Sequence, residues 1–425
     1  MFKRLSMNKI LVRIFESYTF LFLSSAGLIM SPSVVLAQDF SEEAKQEITD
    51  ILDRSQKEFN IPGFVALVTN SEGEIYAEAF GFSDVANKSP MQVDNIFAIA
   101  SMTKPITSTA AMILIEDGKL SLEDPISSHI EDLPPFEIFD EFDFVNGTYT
   151  TVRASNEVTI KQLLTHTSGL AYNFNSKEIA AAELPLTGAI SSDRFLLQHE
   201  PGEKWTYGPS TNLIGDLVEE ISGKGLLEFM EDEIFTPLGM TETFYNVPQN
   251  SMDRVVTTHI KIGDNFMERP KPEQIIQPEE GHGGLSSTAR DYAKFMRLYL
   301  KSGAVDSGEN LLSPETIELI TTNSIGSLKA ELQPEAMPNL SKAFPQGAGI
   351  DTWGLGFQIS ESQDEDKRAP GSLSWAGLFN TKFWIDRERN IAALLLMQYL
   401  PFEDESHLEV LERFEEAIYS RLLSD

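Results

Sequence analysis

Ala100-Ser101-Met102-Thr103-Lys104-Pro105 opens a run rich in Ala, Ile, Leu and Met that ends at Asp117-Gly118. Pro105 would break a helix interior, so a helix here begins close to Ser101. Gly118 is a good C-terminal stop. Ile106, Ala110, Ile113 and Leu114 follow helical spacing, while Met112 and Ile115 make the rest apolar too, which predicts a buried helix. Ser101 and Lys104, three apart, project from one face of its first turn. A serine hydroxyl is a poor nucleophile until a partner removes its proton. A lysine ammonium buried beside it loses solvation, its pKa falls, and it can take part in proton transfer. The helix N-terminus adds partial positive charge near any oxyanion.

Outward from this stretch, Ser41 to Asn60 reads as an amphipathic helix with Ala44, Ile48, Ile51 and Leu52 on one face. Two β-prone runs between Gly63 and Gly81 flank the turn-rich Asn70-Ser71-Glu72-Gly73, which predicts a hairpin. Helical periodicity dominates from 101 to about 300. Strand character returns at Leu355–Ser360, Gly371–Gly377, Thr381–Asp386 and Ile391–Tyr399, and a helix over roughly Glu405–Leu423 closes the chain. Early and late strands around a helical middle imply one sheet built from both chain ends, an α/β (α+β) architecture with an inserted helical domain. The sheet part spans about 38–100 and 345–425, the insert about 101–344.

Composition narrows the chemistry. The 425 residues carry a net charge of −32, so nucleic acid and anionic membrane surfaces are poor partners. No cysteine is present, which excludes disulfides, thiolate catalysis and cysteine–zinc sites. The six histidines show no metal-ligand spacing, so neither metal nor cofactor is expected. Residues 1–37 read as a secretory signal: Lys3, Arg4, Lys9 and Arg13 form a positive region, Thr19 to Met30 an apolar core, and Val35-Leu36-Ala37 a cleavage site. That core is short for a membrane span of about 20 residues, so export to a bacterial periplasm or beyond, without stable membrane insertion, is the expectation.

Ser-x-x-Lys alone is common, but the stretch around it is specific. Ser101 to Thr107, the apolar helix and then Glu116 to Pro125 resemble the serine β-lactamase and penicillin-recognising hydrolase superfamily. The likeness is strongest to its class C branch and the related serine esterases. It implies a β-lactamase/transpeptidase-like sandwich, with an antiparallel sheet, a mostly helical domain and a site in the cleft between them. It covers about residues 45–400, making 38–425 one hydrolase domain.

Further motifs follow in order. Pro201 to Glu219 resembles the family's second motif, and Tyr207 matches its base. A phenol with a reference pKa of about 10 becomes usable when a cation favours the phenolate, and Lys104 would supply that field. Pro209 stands where many β-lactamases carry Asn, as in the esterase branch; Ser210 and Asn212 are the polar residues that could replace the missing amide. Thr159 to Leu170 contains His166, read as a loop-pinning histidine rather than a catalytic one. Gly281-His282-Gly283-Gly284 lacks the Gly-Lys-Ser/Thr ending of a phosphate loop and reads as a cleft wall.

The third motif falls at Trp375-Ala376-Gly377, where β-lactamases carry Lys-Thr-Gly. By resemblance Gly377 allows close backbone approach, and the N–H groups of Leu378 and Ser101 form the oxyanion hole. Trp375 offers an apolar wall instead of a cation. The expectation is therefore an exported serine hydrolase that forms an acyl-enzyme on a small ester or amide. Esters lead. β-Lactams or cell-wall-like peptides are the alternative substrates, and a silent sensor of the same fold is the alternative class.

Overall fold

The computed structural model describes residues 39–190, 193–364 and 366–422. The stretch 1–37, read above as an export signal, lies outside the described residues. Helix α1 (Glu42–Glu58) starts where the Ser41 side chain accepts from the Ala44 N–H. Strands β1 (Gly63–Thr69) and β2 (Glu74–Asp84) form the expected hairpin. Its turn closes when the Asn70 side-chain oxygen accepts from the N–H groups of Glu72 and Gly73.

Six further strands complete the sheet: β3 (Ser89–Pro90), β4 (Thr352–Trp353), β5 (Gln358–Ile359), β6 (Leu373–Gly377), β7 (Thr381–Asp386) and β8 (Ile391–Leu396). Their order is β4-β5-β6-β7-β8-β1-β2-β3, antiparallel throughout. The two chain ends meet where β1 pairs β8, with Val65 opposite Leu396. Both faces are covered, so alternate residues enter different cores. Phe64, Ala66 and Val68 pack with Trp384 and Leu395 under α1 and the terminal helix, Glu405–Leu422. Val65 and Leu67 pack with Phe383, Ile385 and Leu394 on the other face. There they meet Tyr292 and Phe295 of the helix Ala289–Leu300. Each buried Val, Leu, Ile or Phe among them stabilises by roughly 2 kcal/mol.

The insert carries α2 (Thr103–Glu116) and α3 (Ser210–Ser222) at its centre, but it is less helical than its periodicity suggests. Phe136–Asp143, Thr148–Arg153 and Phe195–Leu197 make a three-stranded sheet inside it. The rings of Phe139, Phe142 and Tyr149 cluster on that sheet. Its acidic residues disguise the alternation, because Asp and Glu are depleted in ordinary strands. Among the described residues no helix is long and apolar enough to cross a membrane.

Candidate active site

Ser101 lies in the 3-10 turn Ala100–Met102 that runs directly into α2. Ala100, just before it, has φ +44°, in the left-handed region that non-glycine residues avoid at a cost of roughly 1–3 kcal/mol. Several bonds hold the turn. Ile99 N–H donates to Leu285 O at 3.0 Å, and the Tyr292 hydroxyl donates to Met102 O at 3.0 Å. Beneath it, Ile96–Ala98 pairs antiparallel with Ser286–Thr288, which carries the Gly281–Gly284 loop to the side of Ser101.

Helix α2 is buried on nearly every side, and Lys104 is only 1% exposed. Its Nζ lies 3.1 Å from Ser101 Oγ and 2.8 Å from the Tyr172 hydroxyl, and donates to His282 O at 2.7 Å. Among the described residues no carboxylate pairs with it, so burial drives its pKa well below that of free lysine.

Tyr207 is also buried, and its hydroxyl bonds the Ser101 side chain and accepts from Trp375 Nε1–H at 3.2 Å. Burial outweighs these bonds and raises its pKa, which holds the phenol protonated. The expected cationic field meets the ring rather than the oxygen: Lys104 Nζ stands 4.9 Å from the Tyr207 ring centroid. The Tyr207 backbone is pinned at both ends. Asn175 Nδ2 donates to its carbonyl at 2.9 Å, and its N–H donates to Gln333 Oε1 at 3.2 Å.

Trp375 belongs to β6 and is 5% exposed, packed edge-on against Trp353 at 4.7 Å. It lines the cavity, yet its N–H is engaged with Tyr207, so it is more than an apolar wall. Gly377 ends β6, and a Cβ there would overlap the Ile99 carbonyl oxygen. The close approach that this glycine permits is therefore to the backbone at Ile99, just before the Ser101 turn. Both Ser101 and Leu378 line the cavity, and no backbone bond among the described residues uses either N–H.

Other expectations need correction. The His166 side chain is not hydrogen-bonded into its loop; Nδ1 has no partner, and the ring sits among Trp205, Tyr207 and Trp353. Its backbone does the pinning, accepting from Thr206 N–H at 2.8 Å. Ser210 is buried against Ser168 Oγ at 2.9 Å, and neither it nor Asn212 lines the cavity. Gly281 packs against α3, where a Cβ would overlap Thr211 O, while Gly283 and Gly284 do line the cavity. Lys382, the cation nearest to the third motif in sequence, is paired with Glu403. Among the described residues, the lysine and arginine that reach the main cavity are Lys271 and Arg269.

That cavity holds about 560 Å³. Phe174, Leu186, Phe344, Trp375, Phe379 and Phe402 give it an apolar wall over Ser101. Among the described residues no cluster of side chains could hold a metal ion. The arrangement offers a hydroxyl between a buried amine and a protonated phenol, with Ser101 and Leu378 both lining the same space.

The Beta-lactamase family profile matches residues 46–415. The chain belongs to that family. Protein Rv1367c of Mycobacterium tuberculosis is 31% identical over 360 residues, 80% of this chain and 86% of its own. Lovastatin esterase of Penicillium rubens is 27% identical over 85% of this chain and 95% of its own. Monacolin J acid methylbutanoyltransferase of Aspergillus terreus is 26% identical over 87% and 94%. The solved structure of simvastatin synthase from Aspergillus terreus, LovD6 mutant, superposes with TM-score 0.75 at 24% identity, covering 90% of this chain and 96% of that one. It confirms the family's mixed α/β fold with its large antiparallel sheet.

Proposed function

We propose that the protein is a serine hydrolase that forms an acyl-enzyme on carboxylic esters with apolar acyl or alcohol groups. The observation that carries this reading is the placement of Ser101 Oγ 3.1 Å from a buried amine, under an apolar wall where Trp375 stands in place of a lysine. The desolvated Lys104 amine takes the Ser101 proton as Oγ attacks the ester carbonyl. The N–H groups of Ser101 and Leu378 hold the oxyanion, each worth ~3 kcal/mol. Tyr207, kept protonated by burial, gives its proton to the departing alkoxide, leaving a phenolate that takes a proton from the incoming water or alcohol while the Lys104 ammonium returns its proton to Ser101 Oγ. This exchanges the roles first expected: the amine is the base and the phenol the acid. Water then attacks the acyl-enzyme by the reverse route, or an alcohol takes the acyl group. Relatives named as an esterase and as an acyltransferase support both acceptors.

A second reading, turnover of β-lactams or D-amino-acid peptides, draws on Arg269 and Lys271, the cations available to a substrate carboxylate. A panel of p-nitrophenyl esters of graded chain length beside nitrocefin and a D-Ala-D-Ala peptide separates the two. Ester turnover with little nitrocefin hydrolysis supports the first; the reverse overturns it. On sequence grounds we also propose that residues 1–37 are removed on export, which the N-terminal residue of the secreted protein tests.

A further inference from the structure

Lys104 does not end the chain of contacts that begins at Ser101. Its neighbour Tyr172 has its hydroxyl 3.0 Å from Nδ1 of His282. Nε2 of His282 lies 2.6 Å from an oxygen of Glu280, whose side chain is 41% exposed. A continuous path therefore runs from the nucleophile to the cavity rim through Lys104, Tyr172, His282 and Glu280. None of its three outer members is among the catalytic residues expected from the sequence.

The path has a direction that follows from which atoms can donate. The bond from His282 holds the Glu280 carboxyl below the usual carboxylate range, so it is ionised and can only accept. Burial lowers the His282 pKa more than Glu280 raises it, so the imidazole is neutral with one N–H. That N–H must sit on Nε2, facing Glu280, which leaves Nδ1 as an acceptor. Tyr172 then donates its proton to Nδ1, and its oxygen is free to accept from Lys104 Nζ. The His282 carbonyl accepts a second Nζ hydrogen. A neutral amine has two hydrogens, and both are now assigned. Its lone pair faces the one remaining neighbour, Ser101 Oγ.

We infer that Glu280 and His282 are positioning residues that, through Tyr172, aim the lone pair of Lys104 at the Ser101 hydroxyl, and that protonating His282 reverses the path and disarms the base. A protonated His282 donates from both nitrogens. Tyr172 must then turn its own hydrogen toward Nζ, which occupies the lone pair that Ser101 needs. No covalent bond changes in this step beyond the N–H formed on His282; one proton enters from solvent, and two hydrogen bonds reverse. This inference rests on the serine-hydrolase reading above, because it concerns the base of that reaction.

Charged and titratable groups surround the path on several elements. Lys104 of α2 opposes protonation of His282, and Glu280 favours it. Tyr207 lies beside Tyr172, Asp216 and Glu219 of α3 lie near Glu280 and Glu279, and the Tyr245 hydroxyl donates to the Glu280 carbonyl at 3.0 Å. Arg269 and Lys271 line the same cavity.

The test follows the labelling rate of Ser101 by a fluorophosphonate, read by intact mass from about pH 5 to about pH 9, the range in which an imidazole titrates. Wild type, Glu280→Gln, Tyr172→Phe and the double variant are compared. In Glu280→Gln the new amide can donate as well as accept, so Nε2 is no longer forced to carry the hydrogen. The plateau rate should fall at least ~10-fold, short of the ~10² lost with a proton-transfer group itself. The acid limb should move to lower pH, because the carboxylate that favours imidazolium is gone. Tyr172→Phe should lose as much or more, and the double variant should be no worse than Tyr172→Phe alone. An unchanged pH profile in Glu280→Gln, or losses that multiply, overturns the inference. A wild type that the probe never labels overturns the reading beneath it, and the inference falls with that reading.

Discussion

The indole N–H of Trp375 donates to the hydroxyl of Tyr207 at 3.2 Å, and the two rings stand 4.8 Å apart. One residue of the third motif therefore fixes the tyrosine of the second. Trp375→Phe should preserve the apolar wall and lower kcat for a neutral ester several-fold with KM little changed, because a hydrogen bond of about 1 kcal/mol is lost. Trp375→Lys should weaken ester turnover and improve acylation by a cephalosporin. Steady-state kinetics on both substrates checks this; a Trp375→Phe enzyme whose only change is a raised KM would assign the indole to binding alone.

Lys104→Met and Tyr207→Phe should each cost at least ~10²-fold in turnover, the scale of acid–base catalysis. In the proposed mechanism the two act in one proton circuit around Ser101, so the double variant should lose far less than the product. Simple multiplication of the two losses would mean that they act independently.

The pH dependence has a definite sign. Burial lowers the pKa of Lys104 well below that of free lysine, and in the proposed mechanism the base works only as the neutral amine, with His282 neutral as well. Ester kcat/KM should therefore rise with pH along an acid limb, and the limb should lie well below the usual lysine range of about 10. Burial raises Tyr207, so phenol ionisation should cause no loss on the alkaline side until strongly basic pH. A profile that rises only near pH ~10, as for a solvated lysine, would contradict the desolvated base.

Gly377→Ala should damage the Ser101 turn from outside it. The added methyl overlaps Ile99 O, two residues before Ser101, and Leu378 follows directly. Thermal unfolding should fall by several degrees, in line with the roughly 1–3 kcal/mol of overpacking, and Ser101 labelling should slow. Unchanged labelling in a destabilised variant would separate the glycine from the oxyanion hole.

Local pattern makes much of this legible. Ser101 and Lys104 share a helical turn, and their helix reads as buried because it is apolar on most sides. The hairpin of β1 and the terminal helix, whose apolar residues enter the cores, are equally readable. Tyr172, Asn175 and Gln333 are not. Tyr172 meets Lys104 across 68 residues and His282 across 110, and Gln333 meets Tyr207 across 126. No periodicity encodes such meetings. In sequence His282 reads only as part of a glycine-rich wall, although Glu280 two residues earlier is a hint of pairing. The strand Phe136–Asp143 is hidden by its acidic residues, and the middle of the chain reads as more helical than it is.

The central claim is that Ser101 is the residue acylated. Intact-mass and peptide analysis after fluorophosphonate treatment tests it most directly, in wild type and in Ser101→Ala with matched thermal unfolding. The account predicts one adduct per wild-type chain, carried by Ser101, and none in Ser101→Ala. An adduct that forms at the same rate in the folded Ser101→Ala protein, or that maps to another residue in wild type, would contradict it.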